Sequence, residues 1–217
     1  MLDSSGYEII PFSFYQREDV VQIAKEMVGL YLFHETKEGI TGGKIVETEA
    51  YCGRNDRACH AFNKRTPRTE VMYRSGGRAY IYLCYGIFHL FNVVTNVEGQ
   101  ADAVLVRALE PTTGIPLMQT RTGKKDSDKR LASGPGLVGK AMGFHSSQSG
   151  TLFSDRMHLA RKLDDLPVEL EVATRVGVSY AGEDALLPWR FILKDSPYVS
   201  TKREKPNARH PAFPYKV

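Results

Sequence analysis

The chain of 217 residues has only three cysteines, Cys52, Cys59 and Cys84, and no C-x-x-C pair. An odd set without that spacing argues against a disulfide framework. Cys52, Asp56, Cys59 and His60 are near neighbours in sequence. Their spacing matches no standard zinc pattern, and the P-C-x-x-C of zinc deaminases is absent, so no metal is expected. No apolar run reaches about 18 residues, which leaves no transmembrane helix and no membrane partner to expect. Residues 1–11 include Asp3 and Glu8 and lack a signal-type apolar stretch. An intracellular protein is expected. Phosphate-cradling glycine loops, dinucleotide fingerprints, internal repeats and an interdomain linker are also missing. No cofactor is expected. One domain over residues 1–217 is the economical organisation, with a core of about 12–200 and a basic, proline-containing tail at 201–217.

What is present is ordinary in amount and uneven in place. Apolar residues make up 42% and charged residues 25%, and the net charge is +4. A chain of this length buries roughly 70% of its unfolded surface. Residues 64–78 hold five basic side chains and one acidic, 121–130 five and two, and 202–217 five and one. Three such clusters suit either a face for a polyanion or ordinary solvated loops.

The periodicities predict mixed elements. Residues 12–28 read as a helix with Val20, Ile23, Ala24, Met27 and Val28 on one face and Gly29 just past its end. Residues 30–33 read as a short strand and 39–43 as a turn. Residues 52–77 have little periodicity and read as a long ordered loop containing His60. A loop histidine serves as a structural hydrogen-bonding group or as a catalyst. Residues 78–95 alternate around Tyr85-Gly86, the pattern of a β-hairpin with its bend there. An exposed tyrosine at such a tip suits a wedge that parts stacked bases; the alternative is a tip folded onto its own core. Residues 103–107 read as a strand ended by Glu110-Pro111, and 123–130 as a polar, mobile stretch. Ser133-Gly134-Pro135 starts a helix with Leu137, Val138, Ala141 and Met142 on its apolar side. Residues 152–170 read as loop, and 172–176 and 190–193 as closing strands. The fold class expected is α+β, a single mixed domain around a curved, largely antiparallel sheet with a protruding hairpin.

Residues 44–51 read as a strand, so Ile45, Glu47, Glu49 and Tyr51 share a face at ~7 Å per two residues. Two carboxylates beside an aromatic ring suit a general-base site; they equally suit a solvated edge strand.

Val46-Glu-Thr-Glu-Ala-Tyr51, His60, Thr66-Pro-Arg68, Tyr80-Ile-Tyr-Leu-Cys-Tyr-Gly86, Asn92 and Arg107-Ala-Leu-Glu-Pro111 follow in that order. Ser133-Gly-Pro135, Thr174-Arg-Val-Gly-Val178, Tyr180-Ala-Gly-Glu183 and Ser196-Pro-Tyr-Val-Ser200 come after them. This series resembles the alkyladenine (3-methyladenine, methylpurine) DNA glycosylase family, of the human alkyladenine glycosylase type. The likeness runs from about residue 14 to 200. It implies a monomer that flips a damaged purine out of double-stranded DNA from the minor-groove side. It would then hydrolyse the N-glycosidic bond with water, without lyase chemistry.

By that resemblance Glu49 is the general base, and Arg107 helps hold the water and the adjacent phosphate. Tyr51, His60 and Tyr82 are the walls that sandwich the base, and Asn92 is a pocket-floor residue set against the guanine 2-amino group. Tyr85 is the wedge. Arg65, Thr66, Arg68 and Ile87 match positions facing DNA. Leu137 stands where family members often carry a lysine, which removes one expected backbone contact.

Overall fold

The computed structural model describes residues 6–125, 127–154 and 156–200. The tail expected at 201–217 lies outside the described residues. Strand β1 (Tyr7–Ile9) leads into helices α1 (Phe12–Tyr15) and α2 (Val20–Met27), then strands β2 (Tyr31–Thr36) and β3 (Gly39–Cys52). After a long loop come β4 (Arg78–Cys84), β5 (Phe88–Thr95), β6 (Asp102–Thr113), α3 (Ile115–Thr122) and α4 (Pro135–Met142). The chain closes with β7 (Met157–Lys162), β8 (Leu170–Ala173) and β9 (Arg190–Leu193). The order β1-β7-β2-β3-β6-β5-β4 forms one open sheet, with β9 on β3 and β8 on β9. All these pairings are antiparallel. The fold is α+β. No helix among the described residues is long and apolar enough to cross a membrane.

The two faces of the sheet do different work. Ala79, Ile81, Phe91, Val93, Val104, Val106, Ala50 and Cys52 pack with Ile23 and Met27 of α2 and Val138 and Met142 of α4 in the main core. Each large side chain buried there contributes about 1.5–3 kcal/mol. Their alternate neighbours on the strands point the other way, toward the loop at residues 53–77. Cys59, Ala61 and Met72 of that loop pack with Tyr80, Val94 and Ala103 in a second cluster.

Several expectations are corrected. The helix expected over 12–28 is two helices, because the Asp19 side chain accepts from Gln22 N (2.9 Å) and starts a new one. Residues 39–43 are strand, not turn. Gly42 and Gly43 serve close approach: a Cβ there would meet the Phe33 ring and Glu110 O at 2.5 and 2.7 Å. Strand β6 runs through Pro111 because β5 pairs only with residues 102–105, so the missing N–H interrupts no ladder on that side. The loop expected over 152–170 contains β7, whose Met157 and Leu159 are buried between β1 and β2. Strand β1 and helix α3 had no counterpart in the expected elements.

Candidate active site

Strand β3 is the axis of the site, since its second half pairs with β6 on one edge and β9 on the other. Beyond Lys44 the register with β6 slips twice: Ile45 faces Leu109, Glu47 faces Ala108, and Thr48 faces Val106. Val46 and Arg107 are the extra residues of these bulges. A bulge re-aims every side chain beyond it. Ile45 therefore lies in the main core, and the expected single face of Ile45, Glu47, Glu49 and Tyr51 is broken after Ile45. Glu47, Glu49 and Tyr51 remain together on the other face. Arg107, turned by its own bulge, joins them.

Directly across the strands, Tyr80, Asn92, Leu105, Glu49 and Arg190 form one row. Asn92 is thus two strands from Glu49, roughly 10 Å.

Glu49 is fully buried and accepts three contacts. Val176 N–H donates to Oε1 (2.7 Å), Arg107 Nη1 faces Oε1 at 3.3 Å, and the Tyr51 hydroxyl donates to Oε2 (2.7 Å). Val176 reaches it because β8 ends at Ala173 and the chain leaves the sheet, which corrects the strand expected over 172–176. Burial first, and then the Glu49 charge, push the Tyr51 hydroxyl far above its ordinary pKa. Tyr51 is therefore a permanent donor to Glu49.

Glu47 is equally buried. Its Oε1 accepts from Arg107 Nε (2.8 Å), Arg190 Nε (2.7 Å) and Ser200 Oγ (3.0 Å), and its Oε2 from Ser200 N (2.8 Å). Burial alone would raise its carboxyl, but Arg107, Arg190 and the Ser200 N–H outweigh it and hold the pKa below the usual range.

The aromatic candidates also converge. His60 packs edge-on against Tyr82 (centroids 4.7 Å), and its Nδ1 pairs with the Tyr80 hydroxyl (2.9 Å). Tyr80 and Tyr82 lie 5.4 Å apart. Asn92 Nδ2 donates to Tyr80 O (3.0 Å). Behind Tyr51, Arg175 sits 4.9 Å over its ring and 5.2 Å from that of Trp189. Arg175 is held by Asp56, to which Nη2 donates at 2.8 Å. Asp56 is thus spent on an ion pair.

The remaining candidates stand apart from Glu49. Arg68 lies 6.0 Å over the Tyr82 ring. Arg65 pairs with Glu70 (2.7 Å), and Thr66 is bonded to Thr69 within the same loop. Tyr85 and Ile87 crown the hairpin and are 90% and 70% exposed, so the tip is not folded back. Tyr85 and Gly86 are both left-handed (φ 51° and 70°), and Ile87 N donates to Cys84 O (3.1 Å), which makes the sharp reversal.

Residues 13–197 match the family described as methylpurine-DNA glycosylase (MPG). The chain belongs to that family. These are the 3-methyladenine DNA glycosylases, enzymes of DNA repair. A relative from Natranaerobius thermophilus is 40% identical over 195 residues, covering 88% of this chain and 98% of its own. Relatives from Chlorobium luteolum and Methanoculleus marisnigri are each 43% identical, covering 83% and 89% of this chain and 91% and 99% of theirs. All three carry the name "Putative 3-methyladenine DNA glycosylase".

In this glycosylase several site residues escaped the sequence reading. Arg190, Arg175 and Tyr80 touch the candidates, yet each is far from them in sequence or sits in a pattern that core packing explains, and Asp56, weighed only as a metal ligand, holds Arg175 instead. The Thr174–Val178 and Ser196–Ser200 motifs marked the right stretches without a role.

His60 offers a pH test. Burial first, and then Arg68, push its pKa down to about 4, against an ordinary 6.5. The folded state binds fewer protons than the unfolded between those values, so stability falls as pH drops through that window and is unaffected above it. His60→Gln is expected to flatten the slope of Tm against pH between pH 6.5 and 4. An unchanged slope would mean the ring is readily protonated in place.

Proposed function

We propose that the glycosylase removes alkylated or deaminated purines flipped out of duplex DNA: 3-methyladenine, 7-methylguanine, hypoxanthine and ethenoadenine. It acts as a monofunctional hydrolase and a single-domain monomer, wherever the DNA is, with no cofactor. The observation that carries the reading is the Glu49 carboxylate. A carboxylate has about four acceptor sites. Val176, Arg107 and Tyr51 occupy three, which leaves one on Oε2 for a water. In the reaction Glu49 takes a proton from that water as its oxygen attacks the sugar C1′. The C1′–N bond breaks and its electron pair leaves with the purine. The carboxylate charge also stabilises the oxocarbenium-like transition state. Arg107 holds the water and the adjacent phosphate. A cationic base such as 3-methyladenine leaves unaided; a neutral one needs a proton.

Tyr51 on one side and His60 with Tyr82 on the other take the flipped base. Stacking of this kind is worth ~1–3 kcal/mol and offsets loss of stacking in the duplex. A neutral His60 imposes no charge repulsion on a cationic purine. Asn92, tied through Nδ2 to Tyr80 O, is held at the pocket floor, where its bulk discriminates against the guanine 2-amino group and makes 7-methylguanine a poorer substrate than the adenine lesions. Tyr85 and Ile87 enter from the minor groove and fill the gap, with Arg65, Thr66 and Arg68 along the backbone. The Arg65–Glu70 pair is exposed and screened by solvent, so a phosphate displaces it at little cost.

Single-turnover excision on a duplex carrying one hypoxanthine, with EDTA present, tests the whole reading. Abasic product is expected. No product there or from 3-methyladenine would leave a reader of distorted DNA. Tyr85→Ala is expected to cut flipping by about 10-fold or more, since it removes the filler that keeps the base out. A 2-aminopurine signal and excision rate equal to wild type would remove the wedge from the mechanism.

A further inference from the structure

Arg107 lies between two buried carboxylates and does not share itself equally. Its Nε bonds Glu47 at 2.8 Å, while its Nη1 stands 3.3 Å from Glu49. The third nitrogen, Nη2, donates to Ser200 Oγ (3.2 Å), which in turn donates to Glu47 Oε1 (3.0 Å). The guanidinium is thus clamped along the Glu47 side and only leans toward Glu49. Short contacts between a guanidinium and a carboxylate are strong and charge-assisted. Were Glu47 neutral, the pull of Glu49 on Arg107 would be unopposed. The arginine would close on Oε1 and draw down the charge that Glu49 needs to activate water.

We propose that Glu47 is the positioning residue for Arg107: it anchors the guanidinium so that Nη1 faces the reacting centre while Glu49 keeps its charge. Glu47 itself touches no substrate. Arg190 Nε at 2.7 Å and the Ser200 N–H at 2.8 Å keep the Glu47 carboxylate charged and aimed, although the group is buried. The assignment rests on the reading of Glu49 as the base.

A double-mutant cycle on the full chain tests it, with single-turnover excision and affinity for a duplex carrying an abasic analogue as separate readouts. Glu47→Gln keeps the shape and one acceptor and removes the charge. It is expected to slow excision by about 10- to 100-fold with affinity within about threefold of wild type. Glu47→Asp, which keeps the charge, is expected to recover part of the rate.

In an Arg107→Gln background the Glu47→Gln change is expected to cost less than about twofold more, because its effect passes through the arginine. An equal slowing in both backgrounds would show a structural residue only and overturn the assignment. So would a Glu47→Gln rate equal to wild type. Should Glu47→Gln fail to fold, Ser200→Ala removes the two clamp contacts of the hydroxyl, with Arg107 Nη2 and Glu47 Oε1, without orphaning a buried charge. It is expected to slow excision about 3- to 10-fold at unchanged affinity, and a wild-type rate there overturns the clamp. A wild type inactive on every lesion duplex fails differently: it removes the role of Glu49 first.

Discussion

Glu49→Gln is expected to lower single-turnover excision by about 10³-fold or more, the scale of losing a general base together with transition-state charge stabilisation. Lesion-duplex affinity is expected to stay near wild type. The amide is nearly isosteric, and its Oε1 still accepts from Val176 N–H and Arg107. The Nε2 group, however, meets the Tyr51 hydroxyl, which donates to Glu49 at 2.7 Å in the wild type. Tyr51 then turns to accept, a change confined to one hydroxyl hydrogen. The measurement is product formation with enzyme in excess, beside a titration of the same duplex. A variant that turns over at the wild-type rate would take Glu49 out of the mechanism. One that loses affinity and rate together would place it in binding.

Asp56→Ala is expected to be the most damaging change to stability. Both side chains of the Asp56–Arg175 pair are fully buried. Removing the carboxylate strands a guanidinium that water does not reach, at a cost of about 3–5 kcal/mol. Arg175 would retain only carbonyl partners, Ala50 O and Asp184 O at 2.9 Å each. Urea unfolding monitored by tryptophan fluorescence reads both consequences, because Arg175 lies over the ring of Trp189, the single tryptophan. A loss below about 1 kcal/mol would mean that solvent enters and hydrates Arg175. Activity is expected to fall as well in molecules that remain folded. Arg175 backs the Tyr51 ring at 4.9 Å, and Tyr51 holds Glu49.

The hairpin was legible because strand alternation and a Tyr-Gly bend are local signals, and β4 and β5 pair as expected with residues 85–87 at the turn. The buried face of α2 was legible for the same reason, at period 3.6. Its start was not, since Asp19 reads as an ordinary polar residue until its carboxylate is seen on Gln22 N. Strand β7 is not legible in the sequence because Met157–Lys162 is short and a third charged, and its pairing partners β1 and β2 lie more than a hundred residues earlier. Ile45 was misassigned because strict alternation was carried through a bulge, and a bulge is set by the register with the partner strand.

By itself the sequence determined the family, through the order of its motifs, and the neighbourhood of Glu49 and Tyr51, two residues apart on one strand. It determined the hairpin that carries Tyr85. Only the tertiary structure decided that Arg107 turns toward both glutamates, that Glu47 is taken by residues 60, 143 and 153 positions away, and that Asp56 meets Arg175 across 119. The physical reason is the same in each case. A strand's periodicity says which side chains share a face. Which buried charge meets which is settled by register slips and long-range pairing, since a charge without a partner in the interior costs several kcal/mol and the fold that pairs them all is the one that persists.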